Sequence, residues 1–177
     1  FIKKTSLSPQ LVLEECKTLI YNGEGKTSLV FFSDKENAEK YSDFLLTINP
    51  FKENRQEFNF YYLDYKPECE IYQGKALLCY SRELIKKASS CPNDYIIVIK
   101  DEESKIRSSS YMNVLSINSN HQLTVFPHEF GHAFALLAEE YVPATIPSKS
   151  KNCQASCNKF DILDSCSQGC SKTNYYR

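Results

Sequence analysis

A chain of 177 residues with 42% hydrophobic residues is long enough for one domain with a proper buried core. Its net charge of −1 gives no electrostatic reason to expect nucleic acid or an anionic membrane as partner. No apolar run approaches the roughly 18 residues that span a bilayer, so no transmembrane segment is expected in this chain. It begins at Phe1 rather than Met and has no basic-then-apolar leader, so it reads as a processed or trimmed piece whose missing leader says nothing about secretion.

In chain order, "SPQLVLEECKTLIYN" predicts a helix, with Ser8 as cap, Pro9 in its first turn, and Leu11, Leu13, Cys16, Leu19 and Ile20 on one side. "TSLVFFS" predicts a short buried strand. "DKENAEKYSDFLLTI" predicts an amphipathic helix capped by Asp34, with Ala38, Tyr41, Phe44 and Leu45 inward. "EFNFYYLDY" reads as a strand, "ECEIYQGKALLC" as a loop or hairpin, and "SRELIKKAS" as a helix. "DYIIVIKD" is a β-branched buried strand and "YMNVLSIN" another strand. A helix is expected from about Leu123 to Glu139, and everything after Pro143 is polar, Cys-rich and irregular. Alternating strands and helices over the first 140 residues favour an α/β layered domain with a mixed sheet. Residues 1–143 form that domain. Residues 144–177 form a Cys-rich segment that is the incomplete second half of it and depends on its cysteines for order.

Eight cysteines, at 16, 69, 79, 91, 153, 157, 166 and 170, point to disulfides and an oxidising, extracellular setting. The competing use is a second metal site built from Cys153, Cys157, Cys166 and Cys170, although structural zinc usually takes tighter knuckles.

The chemistry sits in "VFPHEFGHAFALLAEEYVP". His128 and His132 are four apart, so on a helix they project from one face and can share one metal ion. Glu129 lies about 100° round the helix, within reach of a metal-bound water without ligating the ion. The metal lowers the water's pKa, and the glutamate takes its proton. Phe126, Phe130, Ala133, Phe134 and Leu137 fall on the opposite, core-facing side. Pro127 requires the helix to have just begun, and Thr124 is the candidate cap. The third histidine of the chain, His121, reads as a loop residue.

A catalytic zinc site takes a third protein ligand. Ala138 stands six residues after His132, where metzincin-type sites carry a histidine. Glu139 shares the face of His128 and His132 but lies about 10 Å further along the axis than His132. A straight helix therefore cannot deliver it. The helix must end near Ala138 for Glu139 or Glu140 to curl back, and Pro143 stops it soon after. The alternative is that both glutamates are exposed residues of the last turn.

"HEFGHAFALLAEEY" resembles the signature of the IgA-peptidase family of metallopeptidases, roughly HEFGHSFAGLADEY. The softer matches are "NPFKENRQEFNFYYLDY", "NDYIIVIKD" and "SYMNVLSIN", the last corresponding to an edge strand beside the cleft. Together they extend the resemblance over residues 27–143. The resemblance implies a zincin-like fold, zinc held by His128, His132 and Glu140 (Glu139 being the other candidate), and Glu129 as general base. Tyr141 is either an oxyanion-stabilising group or a packed aromatic. Two departures stand out. The family's Ala-Gly-Leu is Ala135-Leu136-Leu137 here, and the one methionine, Met112, precedes the motif instead of forming a turn under the metal.

The reading is a secreted or cell-surface zinc endopeptidase that cleaves a protein or peptide laid along "SYMNVLSIN". The alternatives are a disulfide-stapled, metal-bearing binding module without catalysis, and a latent enzyme whose tail covers the cleft, with Cys153 as the nearest candidate ligand.

Overall fold

A computed structural model describes residues 14–138. Within it the chain forms a mixed six-stranded sheet flanked on both faces. The elements are β1 (Lys17–Ile20), β2 (Thr27–Phe32), α1 (Lys35–Leu45), β3 (Phe58–Leu63), β4 (Glu70–Tyr72), β5 (Ala76–Leu78), α2 (Arg82–Ala88), β6 (Tyr95–Lys100), β7 (Ser109–Tyr111), β8 (Val114–Asn118) and α3 (Val125–Ala135). Sheet order is β1-β3-β2-β6-β8-β7. The four central strands are parallel, and β1 and β7 pair antiparallel at the two edges.

The parallel strands are continuous apolar runs because both of their faces are covered. Leu29 through Phe32 are each 0% exposed. Alternate residues serve opposite layers. Leu29, Phe31, Phe60 and Ile97 meet Tyr41 and Leu45 of α1 and Phe126 and Phe130 of α3. Val30, Phe32, Ile96 and Val98 meet Leu84 and Ala88 of α2 and Leu77 of the β4–β5 hairpin. Thus α3 lies on the same face as α1, and the hairpin lies on the other.

Most predicted elements form where expected. Asp34 caps α1 by accepting from the Asn37 N–H at 2.9 Å, and this bond is the main reason its carboxyl titrates below the ordinary value. Ala38, Tyr41 and Leu45 point inward, while Phe44 is only half-buried. "ECEIYQGKALLC" is the β4–β5 hairpin, with Cys69 and Cys79 bonded across its base.

Three expectations are corrected. The first is the helix over residues 8–22: its described part, residues 14–22, contains no helix, and Lys17–Ile20 is a strand paired with β3 from Lys17↔Tyr62 to Ile20↔Phe60. Helical spacing was real, but a lone outer edge on the buried β3 needs a partner, and Thr18, Leu19 and Ile20 suit an edge strand. The Cys16–Cys91 disulfide fastens its start to the α2 side. The second is "YMNVLSIN", which is two strands. A turn at Met112 (φ 54°) and Asn113 reverses the chain, so β8 is internal and β7 is the edge. The third is the last helix, discussed below. Ser8 and Pro9 lie outside the described residues, as do the four cysteines from Cys153 onward and the whole of 144–177. Among the described residues no helix is long and apolar enough to cross a membrane.

On the α2 face Lys87 is 5% exposed. Its ammonium lies 3.2 Å from a Glu14 oxygen and 4.0 Å from the Tyr65 ring centroid. The stem packs as a hydrophobe while the head is paired, so truncation removes both contributions. Lys87→Ala is expected to cost about 2 kcal/mol. Urea denaturation measures this, and an unchanged midpoint would show that the pair is not coupled to the fold.

Candidate functional site

The last helix is shorter than predicted at both ends. Thr124 has helical dihedrals and makes no side-chain cap. Instead a tight turn leads in, with Val125 N–H bonding Gln122 O and Phe126 N–H bonding Leu123 O. Pro127 then falls in the first turn, where its missing N–H is harmless. The helix ends at Ala135, short of the predicted Ala138, because Leu136 takes the left-handed conformation (φ 56°, ψ 40°). The Leu137 N–H returns to Gly131 O at 3.3 Å, closing the C-terminal turn.

This turn does chemistry-relevant positioning. It brings the Leu137 carbonyl to 2.7 Å from Nδ1 of His132. A carbonyl only accepts, so Nδ1 carries the hydrogen and a neutral His132 keeps its Nε2 lone pair directed away. That Nε2 lies 3.2 Å from Nε2 of His128. Two imidazoles bound tetrahedrally at about 2.0–2.1 Å would have their nitrogens roughly 3.3 Å apart. The spacing of these two nitrogens therefore matches that of two imidazoles sharing one metal ion, and a backbone carbonyl orients one of the rings, as second partners do at such sites. Glu129, between the two histidines in sequence, is 7% exposed and lines the same cleft.

Leu136 is the residue where the family signature has glycine. A left-handed leucine costs roughly 1–2 kcal/mol, and its side chain is 65% exposed, so little packing offsets this. Leu136→Gly is expected to raise stability by about 0.5–1 kcal/mol, the strain relief less the greater freedom of the unfolded chain. Leu136→Pro cannot adopt positive φ and is expected to detach the Leu137 carbonyl from His132. Denaturation midpoints and zinc affinities of the two variants check this pair of opposite effects.

The back of α3 is less uniform than its spacing suggested. Phe126 and Phe130 are fully buried. Phe134 is 39% exposed, although its ring meets those of Phe51, Phe58, Tyr95 and Phe130. Leu137 lies beyond the helix and lines the cleft instead of the core.

The cleft has a volume of about 630 Å³. His128, Glu129 and His132 of α3 line it, together with Arg107, Ser108, Ser109 and Ser110 from the approach to β7 and β7 itself. His121 also borders it, but both its nitrogens serve the loop. Nε2 donates to Ser104 O at 3.0 Å, and in the neutral ring Nδ1 accepts from the Ser108 hydroxyl at 3.3 Å. Ser108 Oγ in turn accepts the Asn118 N–H at 3.0 Å. Asn118, 0% exposed, donates its amide to Glu103 O and Ile106 O, which fixes the loop leading into β7. The expected structural role of His121 is therefore what its bonds support.

Sequence reasoning missed Arg107 and the serines. The available signal was the run "RSSS" directly before a predicted strand, which was legible only once that strand was split into a hairpin. Among the described residues no group of three His, Cys, Asp or Glu side chains is arranged to hold a metal. Glu140, Glu139 and Tyr141, the expected third ligand, its competitor and the neighbouring aromatic, lie outside the described residues, as does Cys153. Compared with known proteins, the sequence matches no protein-family model and no curated protein.

Proposed function

We propose that the cleft is the active site of a zinc-dependent endopeptidase of zincin-like architecture, as the resemblance to the IgA-peptidase family implies. The observation that carries this reading is the convergence of the His128 and His132 Nε2 atoms to 3.2 Å while Leu137 O holds the His132 tautomer. Glu140, with Glu139 as the other candidate, completes the ligand set in this reading. Zinc held there would supply Lewis acidity and bring the pKa of a bound water toward neutrality.

The chain's own residues do the rest. Glu129 is the acceptor for the proton of the attacking water and returns it to the leaving amine. Its burial keeps the carboxylate in a low-dielectric setting, where proton transfer and charge stabilisation count for more. The outer edge of β7 offers main-chain groups to an extended peptide, which would join the sheet as an added strand. The disulfides Cys16–Cys91 and Cys69–Cys79 support a secreted or cell-surface location.

One observation favours the second reading, a metal-bearing binding module without catalysis. The only methionine of the chain, Met112, is 66% exposed in the β7–β8 turn and cannot floor the site. Two measurements on the purified chain decide. Bound zinc is counted by mass spectrometry or atomic absorption, and cleavage of casein and of a peptide mixture is followed. One zinc per chain with cleavage is expected. Zinc without cleavage would favour the binding module, and no zinc uptake would reject both.

A further inference from the structure

We infer that Arg107 selects peptides that carry a carboxylate side chain near the scissile bond. This rests on the peptidase reading and adds a substrate class to it. Among the described residues lining the cleft, Arg107 is the only arginine or lysine, and Glu129 the only carboxylate. The two are placed unlike each other: Glu129 is buried, and Arg107 is exposed. A ligand entering from solvent therefore meets a positive charge before it reaches the buried carboxylate.

The root of Arg107 is held rigidly. Its N–H donates to Lys75 O at 2.9 Å, and its carbonyl accepts the Leu77 N–H at 2.9 Å, so residue 107 is bridged to β5 at Ala76. The Cys69–Cys79 disulfide closes the base of that hairpin. Two residues on, Ser109 Oγ donates to Leu77 O, fastening the start of β7 to the same strand. These main-chain anchors fix where the Arg107 side chain begins, and its planar guanidinium, with five donors, can take a planar carboxylate alongside another partner. Its position directly before the edge strand puts it beside any peptide that pairs with β7. A side chain of such a peptide, and not its main chain, is what a residue at this place reads.

The test uses the full chain loaded with zinc and two labelled peptides that differ only in having Asp/Glu or Asn/Gln around one cleavable bond. Binding is measured by fluorescence anisotropy and cleavage by mass spectrometry, in wild type, Arg107→Gln and Arg107→Glu. The acidic peptide is expected to bind wild type about tenfold more tightly. That ratio should fall to about one in Arg107→Gln and invert in Arg107→Glu, which should bind the neutral peptide more tightly. A carboxylate drawn only to the metal would be indifferent to residue 107. The same acidic preference in wild type and Arg107→Glu would therefore overturn the inference, as would equal or absent binding of the two peptides by wild type. An Arg107-dependent binding ratio with no cleavage of any peptide would uphold the recognition while rejecting the peptidase reading.

Discussion

Glu129→Gln is expected to keep about one zinc per chain and to lose peptide hydrolysis by roughly 10²–10⁴-fold, the range over which a positioned general base contributes. The substitution preserves shape and removes only the ability to take a proton. His132→Ala is expected to behave differently. Loss of an orienting hydrogen bond alone costs about 10–100-fold in metal affinity, so loss of the ligand itself should weaken zinc binding by more than about 100-fold. His128→Ala should match it, since the two Nε2 atoms converge on the same point. The alternative to a metal at that point is a direct hydrogen bond between the imidazoles, which the 3.2 Å separation also accommodates. Zinc titration of the wild type separates the two. A chain that takes up no zinc would leave the histidines as a structural pair, and hydrolysis that survived Glu129→Gln would remove the general-base role.

The histidine pair and Glu129 were legible because helical spacing alone puts residues four apart on one face. The parallel strands were legible for a similar reason: uninterrupted runs such as "LVFF" and "YIIVI" suit only positions buried on both sides. What was not legible depended on contacts distant in sequence. The apolar spacing of Leu13, Cys16, Leu19 and Ile20 fits a helix, yet β3 lies at residues 58–63 and recruits Lys17–Ile20 as its outer partner. The early end of α3 is subtler. No glycine marks it, and leucine is a poor left-handed residue, so the sequence carried no stop signal at 136. The turn forms anyway, supported by the Leu137–Gly131 main-chain bond and the contact of the Leu137 carbonyl with His132. A Cβ added at Gly131 would stand 3.4 Å from Cδ1 of Leu137, close to an ordinary contact, so the returning chain does not itself require glycine there.

Phe126→Ala is expected to carry the largest stability cost, about 3–5 kcal/mol, because the ring is 0% exposed. It meets Phe31 of β2 at 5.9 Å, Tyr41 of α1 at 5.8 Å and Phe130 one turn on at 6.1 Å. A domain of this size has about 5–15 kcal/mol in total, so the variant should be marginal at 25 °C. Phe126→Leu should cost much less, roughly 1–1.5 kcal/mol, because most of the volume stays. Phe134→Ala should fall near 1 kcal/mol, since its ring is already part-exposed. The ordering matters beyond stability. Phe126 packs α3 against the sheet two residues before His128, so this contact, with that of Phe130, sets where the histidine pair stands. The conservative Phe126→Leu should therefore fold, and its zinc affinity should stay within a few-fold of wild type. A Phe126→Ala cost below about 1 kcal/mol, by denaturant midpoint, would mean that α3 is not held by the sheet.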